Sequence, residues 1–182
     1  MTRTGILLVA LGLLLAVAEP AHASAISFVV RGDTRIGTFA VKADGRLSGA
    51  IRAFGEPDSM RGRAESCTAS WSSYGLTIYF YNLGGQNACS PQYGYFSRAI
   101  MRGDRWRTAS GLRIGAPARR IRHYYPRAAW HSGERHFWPS GWWLVVRPSP
   151  FGPGDVPYPG LLAETRNGRV SGFHVRYPAG GD

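Results

Sequence analysis

Gly45 to Glu56 reads GRLSGAIRAFGE and Gly115 to Pro126 reads GAPARRIRHYYP, and these two stretches, 70 residues apart, organise the chain. Laid over one another they align Gly45 with Gly115, Ile51 with Ile121, Arg52 with Arg122 and Phe54 with Tyr124. Each is a glycine, a short amphipathic stretch, an aromatic ring and then a helix stop. Pro117 suits the first turn of a helix, where its missing N–H is no loss. Ala118, Ile121 and Tyr125 fall on one face at i, i+3 and i+7. Pro126 ends the second stretch, as Gly55 and Pro57 end the first. The pattern predicts two short helices of two or three turns.

Strand-like runs follow each helix. After the first come Thr68 to Trp71 and Leu76 to Asn82, joined by a turn at Ser72-Ser73-Tyr74-Gly75, and then Tyr93 to Met101. After the second come Trp142 to Arg147, Leu161 to Thr165 and Val170 to Tyr177. Asn167-Gly168 is the two-residue signal of a tight hairpin before the last of these. Pro148 to Pro159 carries five prolines and reads as irregular loop. A shorter strand precedes each helix, Ile36 to Val41 and Gly111 to Ile114. The expected fold is α+β: two imperfect repeats, residues 24–106 and 107–182, each a short helix packed on an antiparallel sheet. Trp71, Leu76, Ile78 and Phe80 are expected to build a first core, and Ile121, Trp143, Val145 and Val170 a second.

The unit formed by glycine, five residues, Ile, two residues and an aromatic, followed by Cys, Trp and a meander, resembles the tandem repeats of β-lactamase-inhibitory-protein-like domains. It also resembles the short outer-membrane assembly lipoproteins of the SmpA/OmlA type. GLRIG at Gly111 to Gly115 and the following ARRIRHYYP carry the likeness best. Both families are non-enzymatic binders, so the resemblance implies a secreted interaction module. The chain departs from them in having one cysteine pair instead of one per repeat, and a single short helix where they have a helical hairpin.

Residues 1–23 read as a cleavable signal peptide. Arg3 supplies the positive end, Ile6 to Val17 an apolar run too short to span a bilayer, and Ala21-His22-Ala23 an A-x-A site. Cys67 and Cys89 are the two cysteines of the chain, and in an exported protein they are expected to form a disulfide. Lone Arg3 gives no twin-arginine signal, and no cysteine stands at the cleavage point for a lipid anchor. The net charge of +11 is uneven. From Ser97 to Arg147 eleven arginines stand against Asp104 and Glu134, whereas the segments on either side are close to balance. A basic middle segment attracts acidic partners through long-range electrostatics.

Motifs for catalysis are scarce. No G-x-S-x-G elbow and no glycine-rich phosphate cradle occurs. Glu134, Asp155 and Glu164 are the carboxylates from which a glycosidase pair would have to be drawn. His131-Ser132-Gly133-Glu134-Arg135-His136 holds two imidazoles and a carboxylate, but its spacing suits no helix face and Arg135 repels a cation, so no metal site and no cofactor is expected. Arg119 to Trp143 is the distinctive stretch, in which arginines alternate with Tyr124, Tyr125, Trp130, Phe137, Trp138, Trp142 and Trp143. Arginine and aromatic rings are the side chains that interfaces enrich. The sequence therefore points to a binding site at Arg119, Arg120, Arg122, Trp130, Arg135 and Trp138, with an acidic protein or an anionic cell-envelope polymer as partner. Export argues against nucleic acid. The competing reading is an exported hydrolase acting on a cell-wall or polysaccharide substrate.

Overall fold

The computed structural model describes residues 26–133, 139–148 and 157–177; the signal peptide read over residues 1–23 lies outside them. Twelve strands and two helices follow in order among these residues. They are β1 (Val29–Arg31), β2 (Arg35–Ile36), β3 (Phe39–Ala40), α1 (Leu47–Phe54), β4 (Ser59–Arg63), β5 (Ser66–Trp71), β6 (Leu76–Tyr81), β7 (Tyr95–Met101) and β8 (Arg107–Thr108). Then come α2 (Ile121–Tyr124), β9 (Ala129–His131), β10 (Gly141–Arg147), β11 (Tyr158–Arg166) and β12 (Arg169–Arg176). The class is α+β, mostly sheet. Among the described residues no helix is long and apolar enough to cross a membrane.

Eight antiparallel strands form one sheet in the order β4-β5-β6-β7-β12-β11-β10-β9. Each helix precedes a four-strand meander, and the two meanders meet where β7 pairs with β12. Period-two alternation points Cys67, Ala69 and Trp71 of β5, and Leu76, Ile78 and Phe80 of β6, to the same buried face. Phe96, Ala99 and Met101 of β7, Phe173 and Val175 of β12, and Leu161 and Ala163 of β11 continue it. The two cores expected from sequence are one cluster, in which Ile121 and Val170 join Trp71 and Phe80.

Helix α1 lies on this face because Leu47, Ala50 and Phe54 recur at i, i+3 and i+7. The Phe54 ring meets Trp71 edge-on at 5.7 Å and Phe39 at 6.4 Å. The indole Nε1 of Trp71 donates to the Gly55 carbonyl at 2.8 Å, and that of Trp106 to the Tyr74 carbonyl at 2.7 Å, so neither buried ring leaves its polar atom unmet. A second, four-stranded sheet, β3-β2-β1-β8, contains a parallel pairing of β1 with β8. Asp33, in the β1–β2 turn, is fully buried and accepts from Arg147 Nε at 2.9 Å and Nη2 at 2.7 Å, with Lys42 Nζ 3.7 Å away. That pair ties the small sheet to β10. Burial raises the Asp33 carboxyl, but Arg147 and Lys42 more than offset it and hold it below its ordinary value.

Several local expectations change. In place of one strand over Ile36 to Val41 stand two two-residue strands, β2 and β3, because Gly37 at φ +59° turns the chain between them. Gly111 to Ile114 forms only an isolated bridge, Arg107 with Arg113, since Gly111 takes φ +96°. Strand β11 begins at Tyr158, inside the stretch read as proline loop. Helix α2 is a single turn led in by a 3-10 turn at Ala118–Arg120. Trp143 is buried but not in the core cluster; Trp142 packs there instead, next to a register shift between Trp143 and Val145. The expected bridge is present: Cys67 and Cys89 form a disulfide, with Cα atoms 5.0 Å apart.

Candidate functional site: an arginine-aromatic edge

Residues 115–118 run beside the β11–β12 hairpin. Gly115 N donates to Val170 O at 2.8 Å, Val170 N to Ala116 O at 2.9 Å, and Ala118 N to Gly168 O at 2.8 Å. This docking, with Ile121 buried beneath, holds the 3-10 turn and α2 on the sheet and turns Arg119, Arg120 and Arg122 outward. The Arg120 guanidinium lies 5.4 Å from the Tyr124 ring, and that of Arg122 lies 5.3 Å from the Trp142 ring. Trp142 stands directly across from Trp130 in the β9–β10 register. Trp130 is 53% exposed and sits on the edge strand β9, not in the loop the sequence suggested. Arg122 thus reaches, through Trp142, the border of the sheet where Trp130 stands, and Arg119 and Arg120 are exposed on the turn that leads into α2.

Cation–ring contacts at exposed sites contribute about 0.5–1 kcal/mol each, enough to bias a guanidinium toward a ring and too little to fix it against a competing anion. None of these three arginines has an ion pair among the described residues. Their forked donors remain free for a carboxylate or phosphate. Arg135 and Trp138, read as part of the same site, lie outside the described residues, as does Phe137.

Other candidates resolve differently. His131 stacks on the Trp143 ring, with centroids 3.9 Å apart and planes 18° apart, on the sheet face away from the core. Glu134 and His136 of the same hexapeptide lie outside the described residues. Among those described, no three His, Cys, Asp or Glu side chains converge as metal ligands. Glu164 accepts from Arg102 Nη2 at 2.9 Å and lies 3.1 Å from His174 Nε2. Burial holds the His174 imidazole below its ordinary value against the pull of Glu164, with Arg102 and Arg98 pushing the same way as burial. Glu134 and Asp155, its proposed carboxylate partners, are outside the described residues.

One feature escaped the sequence. A cleft of about 1020 Å³ opens between the segment before α1, the 82–86 turn and the start of β7. Tyr81, Tyr93, Tyr95 and Tyr177 line it together with Arg46. These residues come from four separate segments, so no local motif announces them.

No family model and no curated protein matches the sequence. Two solved structures are similar. One is an extracellular protein containing an SCP domain from Bacillus anthracis, at 9% identity and TM-score 0.41, covering 73% of this chain and 43% of that one. The other is a cysteine-rich secretory protein from Staphylococcus aureus, at 9% identity and TM-score 0.42, covering 83% of this chain and 50% of that one. The chain spans half or less of the length of either protein. The resemblance to β-lactamase-inhibitory-protein-like and SmpA/OmlA-type repeats is corrected by this result, since the similar structures are SCP-domain and cysteine-rich secretory proteins. A glycine, an isoleucine and an aromatic at fixed spacing describe any short helix docked on a sheet, so they could not select a family. The secreted address stands, and the disulfide that Cys67 and Cys89 form agrees with it.

Proposed function

We propose that the protein is a non-catalytic binding module that works outside the cytoplasm. It holds an acidic protein or an anionic cell-envelope polymer through Arg119, Arg120, Arg122 and Trp130, with Arg135 and Trp138, which lie outside the described residues, as the remaining residues of the site. The observation that supports this reading is the Arg122 guanidinium 5.3 Å from the ring of Trp142, whose cross-strand neighbour Trp130 is 53% exposed, beside two arginines that lack acidic partners among the described residues. Cations without partners beside open rings supply charge for attraction and flat surface for contact. We further read the two halves as imperfect repeats, supported by the same helix-then-meander order on both sides of the β7–β12 junction.

The test is capture by the purified mature protein from its own culture fluid and cell-envelope fraction, eluted stepwise with salt. Release of an acidic polymer at moderate salt fits electrostatic attachment, and retention of one acidic protein through high salt fits a packed aromatic interface. Triple reversal to Glu at Arg119, Arg120 and Arg122 abolishes either. Capture that survives the reversal refutes the site.

A further inference from the structure

The tyrosine-lined cleft shares no residue with the arginine edge. Its volume, about 1020 Å³, is at the upper end of the range that holds drug-sized ligands, about 300–1,000 Å³. Tyr95 is 42% exposed and its ring lies 6.4 Å from that of Tyr81, tilted by 44°, so the two make an angled aromatic wall at the ends of β6 and β7. Tyr93, 38% exposed, adds a third ring.

The 82–86 turn, which follows Tyr81 directly, is held by its own hydrogen bonds. Asn82 is buried, its Oδ1 accepting from Gly84 N at 2.6 Å and its Nδ2 donating to Gln86 Oε1 at 3.3 Å. Its backbone N–H donates to Glu65 O at 3.0 Å, and Ala88 N to Ala64 O at 2.8 Å, beside the Cys67–Cys89 bridge. The segment is thus fastened at both ends to the turn between β4 and β5.

Lys42, Arg46 and Arg52 stand in the lining against one acid, Asp44. Lys42 is within 3.7 Å of Asp33, and Arg52 pairs with Asp44. Arg46 has no ion pair among the described residues; its guanidinium lies 5.6 Å over the Tyr95 ring. A tyrosine ring accepts the C–H face of a sugar, while a forked guanidinium beside it takes a carboxylate by two hydrogen bonds. Aliphatic lining is limited to Val41, Ala43 and Leu83, which offers little to the side chains of a peptide.

We infer that this cleft binds acidic saccharides, chains of sugar rings that carry carboxylates, with Tyr95 as the stacking platform and Arg46 as the carboxylate partner. Calorimetry of the mature protein with tetragalacturonate, and with its carboxyl-reduced neutral form, tests it. The acidic sugar is expected to bind, and the neutral form to bind at least about tenfold more weakly, the size of a lost hydrogen bond to a charged group. Arg46→Gln and Tyr95→Ser are each expected to weaken the acidic sugar by a similar factor. Thermal midpoints identify a variant that has lost its fold, for which Tyr93→Ser is then substituted. Loss in Arg46→Gln and Tyr95→Ser that the Glu triple variant at Arg119, Arg120 and Arg122 does not reproduce assigns the binding to the cleft, whereas loss in the triple variant alone assigns it to the edge. Absence of binding, unchanged binding by Arg46→Gln and Tyr95→Ser, equal affinity for the neutral sugar, or loss only in the triple variant would each overturn the inference.

Discussion

Replacing Arg147 by Met strands a carboxylate inside the protein. Asp33 has no exposed side-chain surface, whereas the Arg147 side chain is 40% exposed, so the two partners are not equivalent. Removing Arg147 leaves Asp33 buried with Lys42 at 3.7 Å as its remaining cation. Breaking a buried pair in this way costs about 3–5 kcal/mol. Removing the charge from the other side, with Asp33→Asn, keeps the shape and lets Arg147 turn to water, so the loss is nearer that of charge-assisted hydrogen bonds, about 1.5–3 kcal/mol. At about 2–4 °C of midpoint per kcal/mol for a chain of this size, Arg147→Met lowers the midpoint by about 6–20 °C. The double variant costs less than the sum of the singles, because the second change no longer meets a stranded partner. Urea titrations of parent, both singles and the double at pH 7 measure this. Because the folded-state carboxyl of Asp33 is held below its ordinary value of 3.8, the unfolded chain binds more protons through that window. The pair's contribution is therefore present above about pH 4 and lost as pH falls through the folded value, and Asp33→Asn removes that acid-sensitive share. Equal small losses from the two singles, with no coupling in the double, would refute the reasoning.

Three further outcomes follow from particular contacts. A Cβ at Gly160 would stand 3.0–3.1 Å from the Asp33 side chain, so Gly160→Ala costs about 1–3 kcal/mol in urea titration by crowding the same pair. Changing Cys67 and Cys89 together to Ser removes a crosslink over a sequence separation of 22, and a loss of about 3 kcal/mol is expected in denaturant. Burial depresses His174, so the unfolded state takes up its proton first and stability falls as pH drops below the ordinary value of 6.5; His174→Gln flattens the thermal midpoint between pH 7 and pH 5, and an unchanged slope would show that another group titrates there.

Much of the fold was legible because strong local signals agreed with tertiary placement. Trp71, Leu76, Ile78 and Phe80 alternate with polar residues on both sides of a 3-10 turn closed by Gly75 at φ +57°, and β5 and β6 fall where that alternation puts them. Asn167 and Gly168, both at positive φ, make the hairpin their pairing announces. Strands β4 and β9 were missed because edge strands carry little apolar pattern: Met60, Arg61, Gly62 and Arg63 are all exposed. The exposed Trp130 was legible as a surface ring but not as part of a strand, since its pairing to β10 is held by backbone bonds and not by composition. The arginine segment could be read from charge alone, whereas the Asp33–Arg147 pair, 114 residues apart, and the tyrosine cleft depend on contacts that no local window contains.

The most direct test of the central claim compares the parent with the Glu triple variant at Arg119, Arg120 and Arg122, measuring capture from the envelope fraction and thermal midpoint on the same preparations. Capture is expected to be lost while the midpoint falls by no more than about 2–8 °C, because the reversal removes two exposed cation–ring contacts of about 0.5–1 kcal/mol each. Undiminished capture, or a midpoint that falls in step with it, would contradict a binding role for the arginine edge.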